Sequence, residues 1–194
     1  MEKSRRMNKL IISILITLLC QGLVAQDLEN IVLKEAGSGT QYELAKLRSA
    51  KASAIIFWGN RCAYNAYYVD RIKLLANEFT NSGVRFILVN ANRNKVVVEE
   101  SPENMKKYMQ SNQLNLPYLV DASQLLKQSL GATRSPEVYL LDNKLTVIYS
   151  GAIDDNPQSE GDVSHHYLRE AILSLMSDKQ PAVTRTRPTG CLIR

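Results

Sequence analysis

Three cysteines occur in this 194-residue chain, and Cys62 is the one whose neighbours suggest chemistry. It follows the apolar run 54–58 and precedes a helical pattern, so its sulfur is expected where a buried strand passes into the first turn of a helix. There, unpaired backbone N–H groups and the positive end of the helix dipole favour a thiolate over a thiol. Because a thiolate is a nucleophile, the sequence predicts thiol chemistry at Cys62.

The first 25 residues have the composition of an export signal. Basic residues precede the almost wholly apolar stretch 10–20, and Ala25 offers a small residue at the expected cleavage point. The stretch is shorter than the ~20 residues that a spanning helix needs, so a retained membrane anchor is the second choice. We therefore expect residues 1–25 to be a signal peptide and the protein to be exported, periplasmic or extracellular. Cys20 is assigned to this signal, and tethering is expected only if cleavage fails.

Charge and composition exclude some partners. The formal net charge is +5, but four basic residues and one acidic residue would leave with the signal. No basic stripe with interleaved aromatic residues follows, so no nucleic-acid partner is predicted, and no membrane contact is expected after signal removal. Residues 26–194 are long enough for one domain whose core needs no disulfide scaffold. In an oxidising compartment, the remaining Cys62 and Cys191 are expected to form either a structural bridge or a redox couple.

The elements that must position Cys62 alternate between strands and helices. Apolar runs predict strands at 31–33, 53–58, 84–89 and 116–120, and a hairpin with strands 138–141 and 145–149. Helical periodicity and capping residues predict helices that begin near residues 64, 102, 122 and 163. Strands and helices alternate first and a β-hairpin follows, and this order predicts an α/β fold with a central mixed sheet and helices on both faces. Residues 181–194 form a basic tail that carries Cys191.

Four segments give the chain a resemblance to a known family. Segment 60–71, around Cys62, resembles the active-site segment of the peroxiredoxin-like branch of thioredoxin-fold redoxins, in the alkyl hydroperoxide reductase and thiol-specific antioxidant group. Segments 101–105, 153–157 and 186–191 agree with the same branch and occur in the same order. The resemblance implies a thioredoxin-like fold with a redoxin-type helix-strand-helix insertion, in a domain that spans residues 26–180.

Carried over residue by residue, the resemblance implies a site with a single active-site cysteine. Cys62 matches the attacking cysteine of thioredoxins, whereas Asn65 stands where they have the second cysteine of C-x-x-C. Peroxiredoxins place their peroxide-reducing cysteine at the position of Asn65, so conventional peroxidase chemistry is not expected. The chain also departs from the family at Ala63, where proline is usual, and at Arg134, where cysteine is frequent.

Further site residues follow from the same resemblance. Pro136 matches the proline that this fold holds in cis opposite the active cysteine, which would leave the backbone of Ser135 free to pair with a substrate strand. Arg61 and Arg134 are candidates to lower the pKa of that cysteine by charge proximity, although exposed arginines are usually only solvated. Tyr64 is a candidate substrate contact, and its alternative is a place on the core face of the helix.

Cys191 is the candidate second thiol, in a tail able to fold back, and Gly190 before it lowers the steric demand on approach. Three interpretations stay open. Cys191 resolves a mixed disulfide formed at Cys62, it forms a static bridge that stabilises the fold, or it does not pair. If the two cysteines pair in any state, their Cα atoms must come within ~7 Å.

No metal or cofactor is predicted. His165 and His166 are adjacent on the predicted last helix, where they would point about 100° apart and make a poor metal pair. A copper carrier of this fold would need a second cysteine in a C-x-x-x-C pair, which is missing. Segment 154–157 is most simply a turn.

The leading interpretation is an exported redoxin with thiol-disulfide oxidoreductase or antioxidant activity. Its partners would be protein or small-molecule thiols and disulfides, with an external thiol as reductant. The alternative is a catalytically weak binding module that uses the cis-proline groove to hold an extended peptide or a small molecule.

Overall fold

A computed structural model describes residues 28–92 and 98–194. The predicted signal peptide, residues 1–25, lies outside the described residues. The strands are β1 Val32–Glu35, β2 Gln41–Glu43, β3 Ala52–Phe57, β4 Val84–Asn90, β5 Tyr118–Val120, β6 Arg134–Ser135, β7 Glu137–Asp142, β8 Val147–Gly151 and β9 Cys191–Leu192. The helices are α1 Ala63–Phe79, α2 Pro102–Ser111, α3 Leu125–Leu130 and α4 Tyr167–Met176, with 3-10 turns at Leu44–Ser49, Thr80–Ser82, Val98–Glu100 and Glu160–Asp162.

The main sheet has seven strands in the order β2-β1-β5-β4-β3-β7-β8. Its centre is parallel, because β4 pairs in parallel with both β3 and β5. Antiparallel pairs flank this centre, β7 on β3 and β8 on β7 at one side, and β1 on β5 and β2 on β1 at the other. The predicted mixed sheet is confirmed, and α2, β5 and α3 form the inserted helix-strand-helix unit between β4 and the hairpin.

Two hydrophobic cores cover the two faces of the sheet. All six residues of β3 are buried, as expected for a central strand covered on both faces. Alternate β3 side chains belong to different cores, Ile56 to the one that contains α1 and α4, and Ile55 to the one that contains α3. A hydrophobic core therefore packs on each face of the strand that leads to Cys62.

Two helices begin later than the sequence predicts. Helix α3 begins at Leu125 rather than at residue 122, because Gln124 has a positive φ of 60° and Asp121 accepts the Lys127 N–H at 2.8 Å from six residues away. Helix α4 begins at Tyr167 rather than at 163, after a 3-10 turn.

The late start of α4 also corrects the prediction for the two histidines. They are not neighbours on a helix, since His166 is the N-cap residue of α4 and the His165 ring stacks on Tyr167 with centroids 5.7 Å apart. Among the residues that the structure describes, no group of three or more His, Cys, Asp or Glu side chains is placed to hold a metal ion. The same residues contain no helix that is both long and apolar enough to cross a membrane.

A buried ion pair ties α1 to the loop after β8, in the segment that the sequence suggests is only a turn. Arg71 Nη1 donates to Asp154 Oδ2 at 2.7 Å, and both side chains are almost fully buried. The Tyr68 hydroxyl donates to the other carboxylate oxygen at 2.8 Å. Burial, and then the hydrogen bond to Asp154, raise the pKa of Tyr68. The pair fixes the helix that begins next to Cys62.

We expect Asp154→Ala to lower the free energy of unfolding by about 3–5 kcal/mol, because it leaves the Arg71 guanidinium buried without its counter-charge. Urea denaturation measures this loss. Asp155→Ala is the matched control, since that neighbouring carboxylate is exposed and its removal should cost much less. Equal losses in the two variants would contradict the assignment.

Candidate thiol-disulfide site

Cys62 is the N-cap residue of α1, with extended backbone angles of φ −79° and ψ 114°. Its N–H donates to the carbonyl of Gly59 at 3.2 Å, and its carbonyl accepts the Asn65 N–H at 3.0 Å. The sulfur accepts no capping hydrogen bond from the first helical turn. The predicted place of Cys62, where a buried strand gives way to a helix, is thus observed, but the expected contact of its sulfur with backbone N–H groups of the first helical turn is not.

Glu100 holds the loop that precedes Cys62, and sequence reasoning missed it. Its carboxylate accepts the backbone N–H groups of Asn60 at 2.9 Å and Arg61 at 3.1 Å, and the Asn90 side-chain amide at 2.6 Å. The side chain is buried despite its charge. Nothing in the sequence links Glu100 to a loop some 40 residues earlier, because only the fold brings the turn that ends at Glu100 to this loop.

The cis-proline loop lies against the sulfur of Cys62. The Ser135-Pro136 peptide bond is cis, and the Ser135 carbonyl oxygen lies 2.9 Å from Cys62 Sγ. Asn65, which stands where thioredoxins have their second cysteine, is fully buried and connects this loop to the helix. Its side-chain amide donates to the Gly59 carbonyl at 2.7 Å and to the Ser135 hydroxyl at 3.0 Å.

Cys62 and Cys191 form a disulfide with their Cα atoms 5.7 Å apart. The distance meets the ~7 Å limit that pairing requires. Of the three interpretations of Cys191, the absence of pairing does not apply to this state. A static bridge and a redox couple differ in whether external thiols open and re-form this disulfide.

The tail around Cys191 occupies the strand position expected for a substrate. Strand β9 pairs antiparallel with β6, so that Cys191 lies opposite Ser135 and Leu192 opposite Arg134. The Ile193 N–H continues the pairing to the Thr133 carbonyl at 3.0 Å, and its side chain is buried in one of the two cores. The backbone of the cis-proline loop is therefore already paired in the disulfide state.

Close approach of the tail requires glycine at position 190. A Cβ atom at Gly190 would lie 2.2 Å from the Ser135 carbonyl oxygen and 2.9 Å from the Pro136 nitrogen. No side chain can be placed there without moving the tail or the loop.

The predicted charged and aromatic site residues have different surroundings. Arg134 Nη1 donates to the Gly190 carbonyl at 2.7 Å, so this guanidinium holds the tail. Arg61 is exposed and borders a cavity of about 370 Å³ beside the disulfide. Tyr64 is half-buried and contacts the ring of Tyr67, with centroids 6.4 Å apart. The full cavity lining is Gly59, Arg61, Cys62, Asn92, Glu100, Ser135, Cys191, Leu192 and Arg194.

We expect Gly190→Ala to shift the thiol-disulfide equilibrium toward the dithiol by roughly five- to a hundredfold, since overpacking of this kind costs ~1–3 kcal/mol. Titration in glutathione redox buffers measures the shift. Gly161→Ala is the matched control, because a Cβ there meets nothing within 4 Å. An unchanged equilibrium in Gly190→Ala would show that the tail does not need this close approach.

Comparison with known proteins agrees with the fold. Residues 23–165 match the Redoxin family. A hypothetical protein from Sinorhizobium meliloti 1021 is 28% identical, with a TM-score of 0.77 over 84% of this chain and 89% of that one. An uncharacterized conserved protein from Geobacillus kaustophilus is also 28% identical, with a TM-score of 0.79 over 84% of this chain and 87% of that one.

A more distant structure is a secreted disulfide oxidoreductase of Mycobacterium tuberculosis, described as homologous to Escherichia coli DsbE. It is 16% identical, covers 63% of this chain and 82% of its own, and has a TM-score of 0.52, which shows a shared fold. No curated protein sequence matches the chain closely. The thioredoxin-like fold and the match over most of the chain lead to one conclusion: this protein belongs to the redoxin family.

Proposed function

We propose that this protein is a thiol-disulfide oxidoreductase in which Cys62 is the nucleophile and Cys191 is its partner thiol. The observation that carries the proposal is the disulfide between a helix N-cap cysteine and a tail cysteine paired with the cis-proline loop. Membership of the redoxin family supports redox chemistry as the class of reaction. The roles of Cys62 and Cys191 in that reaction are our proposal.

The proposed reaction is two successive thiol-disulfide exchanges. The Cys62 thiolate attacks a substrate disulfide RS–SR′, which forms Cys62–S–SR and releases R′S⁻. The Cys191 thiolate then attacks the Cys62 sulfur, so that RS⁻ leaves and the internal disulfide forms. Each substrate disulfide accepts two electrons, and two external thiols later return them to the protein.

The way the tail is held supports a redox couple over a static bridge. Residues 184–186 are anchored along β8, where the Ser150 N–H donates to the Thr184 carbonyl and the Thr186 N–H donates to the Ser150 carbonyl, both at 3.0 Å. The cis-proline loop pairs with the short β9 and with the Ile193 N–H that follows it. Cys191 would therefore stay near Cys62 after the disulfide opens, at a high effective concentration for the second exchange.

Conventional peroxidase chemistry is not part of the proposal. The position where peroxiredoxins carry their peroxide-reducing thiol holds the buried Asn65 amide, which is fully used in hydrogen bonds to Gly59 and Ser135. We include export in the proposal, with residues 1–25 as the signal peptide. An oxidising compartment suits a stable disulfide, and one structure of the same fold is of a secreted protein.

In reduced Cys191→Ser, we expect iodoacetamide to label Cys62 at least ~3 times faster at pH 7 than free cysteine, because the helix N-terminus lowers the thiol pKa below its usual ~8.5. Burial of Cys62, the Ser135 carbonyl oxygen 2.9 Å from its sulfur and the Glu100 carboxylate that borders the same cavity oppose this effect, so the measurement decides which influence is larger. The same variant in urea is the control, and its rate should fall to that of free cysteine. A folded rate no faster than free cysteine would favour the binding-module alternative.

The proposed roles are tested directly by mixed-disulfide trapping. Cys191→Ala should accumulate covalent adducts with a model disulfide substrate such as oxidised, unfolded ribonuclease A, because the second exchange lacks its thiol. Cys62→Ser is the matched control and should form none in this assay, since the nucleophile is gone. Adducts in equal amounts from both variants, or from neither, would contradict the assignment of Cys62 and Cys191.

A further inference from the structure

We propose that a small external thiol reduces the internal disulfide by attack on the sulfur of Cys191, with Cys62 leaving as the thiolate. The inference rests on the proposed function and adds the direction of electron entry and the chemical class of the reductant. It depends on two differences between the two sides of the disulfide and on the cavity beside it.

The first difference is the surroundings of the two sulfurs. Cys62 is only 7% exposed, and its Sγ lies 2.9 Å from the Ser135 carbonyl oxygen. That oxygen occupies space beside the Cys62 sulfur and restricts the approach of a second nucleophile. Cys191 is half-buried in a two-residue strand near the end of the described tail, and its neighbour Leu192 is 61% exposed. Access to the sulfur therefore favours attack on Cys191.

The second difference is the quality of the two leaving groups. A disulfide opens faster when the departing thiol has the lower pKa. Cys62 is the N-cap residue of the 17-residue helix α1, whose dipole favours a departing thiolate against the opposing partial charge of the Ser135 carbonyl oxygen. Cys191 lies in an extended tail segment without a helix terminus of its own. Attack on Cys191 expels the better leaving group, whereas attack on Cys62 would expel the poorer one.

The cavity beside the disulfide determines the size of the reductant. The backbone positions of Thr133, Arg134 and Ser135 that would pair with a protein partner are already used by the tail. The cavity beside the disulfide has a volume of about 370 Å³ and is bordered by both cysteines and by Leu192. Pockets of this size accommodate small molecules. A small thiol reaches the disulfide through this cavity without displacing the tail.

The reaction balances as two exchanges. A thiolate RS⁻ attacks Cys191 Sγ, which forms RS–S–Cys191 and breaks the bond to Cys62, whose sulfur leaves with the electron pair. A second thiolate attacks the RS sulfur of this adduct, so that RS–SR forms and the Cys191 thiolate is released. Two thiols are oxidised to one disulfide, and the protein disulfide is reduced to two thiols.

The test uses the oxidised wild-type protein and 2-mercaptoethanol, a small neutral thiol. After short reaction times, acid quenching, alkylation of free thiols at low pH and peptic digestion preserve the first adduct for mass spectrometry. We expect the mercaptoethanol adduct on Cys191 to exceed that on Cys62 by at least ~10-fold, from the leaving-group difference between a helix-terminal thiol and an ordinary one. The same reaction in urea is the control, and the two adducts should there be nearly equal.

The outcomes separate this inference from the proposed function. A folded-state adduct mainly on Cys62, or equally on both cysteines, would overturn the inference and leave the oxidoreductase proposal intact. A disulfide that is reduced in urea but forms no adduct on either cysteine when folded would be a static bridge, and the proposed function would fail with it.

A variant of the cavity tests the route of the thiol. Leu192 contributes its backbone to β9, while its exposed side chain borders the cavity. Leu192→Trp should slow reduction by 2-mercaptoethanol several-fold without changing the thiol-disulfide equilibrium in glutathione buffers, because it narrows access. Leu192→Ala is the matched control and should not slow the reaction. An unchanged rate in Leu192→Trp would contradict approach through this cavity.

Discussion

The backbone pairing of Cys191 with Ser135 is the interaction on which the arrangement of this site depends. It places the Cys191 sulfur next to the Cys62 sulfur and uses the peptide groups that a substrate strand would need. The pairing is specific because Gly190 allows a contact that any side chain would prevent, and because Arg134 binds the Gly190 carbonyl. The disulfide is therefore supported by close packing of the tail backbone against the cis-proline loop.

The other side of the site is held by polar groups that have no role as reactants. Asn65 connects the start of α1 to the cis-proline loop, and Glu100 holds the two peptide groups that precede Cys62. Further along α1, the buried pair of Arg71 and Asp154 fixes the helix against the loop after β8. Hydrogen-bonded buried polar groups favour one arrangement of the chain, and here they fix the direction from which the Cys62 sulfur is presented.

Much of the fold could be predicted from local patterns, since apolar runs and capping residues depend on near neighbours. The buried β3 strand, the helix after Cys62 and the Ser101 cap of α2 are confirmed. The start of α3 could not be predicted, because the Asp121 carboxylate bonds the amide of Lys127 rather than capping the next turn. For the site, the resemblance predicted the cis bond before Pro136, whereas pairing of Cys62 with Cys191 was only one of the alternatives that the sequence left open. Contacts between residues far apart in sequence, such as those of Glu100 and Asn65, could not be predicted, because only tertiary structure brings these side chains to their partners.

The tail and a substrate strand cannot both pair with the cis-proline loop, because each backbone N–H and carbonyl there serves one partner strand. Apart from the disulfide, β9 is held by a few hydrogen bonds, each worth only about 0.5–1.5 kcal/mol net, and by the buried side chain of Ile193. Without the disulfide, the tail would be held by these contacts, by the hydrogen bonds of Arg194 to Asn92 and Gln124, and by the anchor at Thr184 and Thr186. In the disulfide state, the tail thus occupies the loop positions that a protein partner would need.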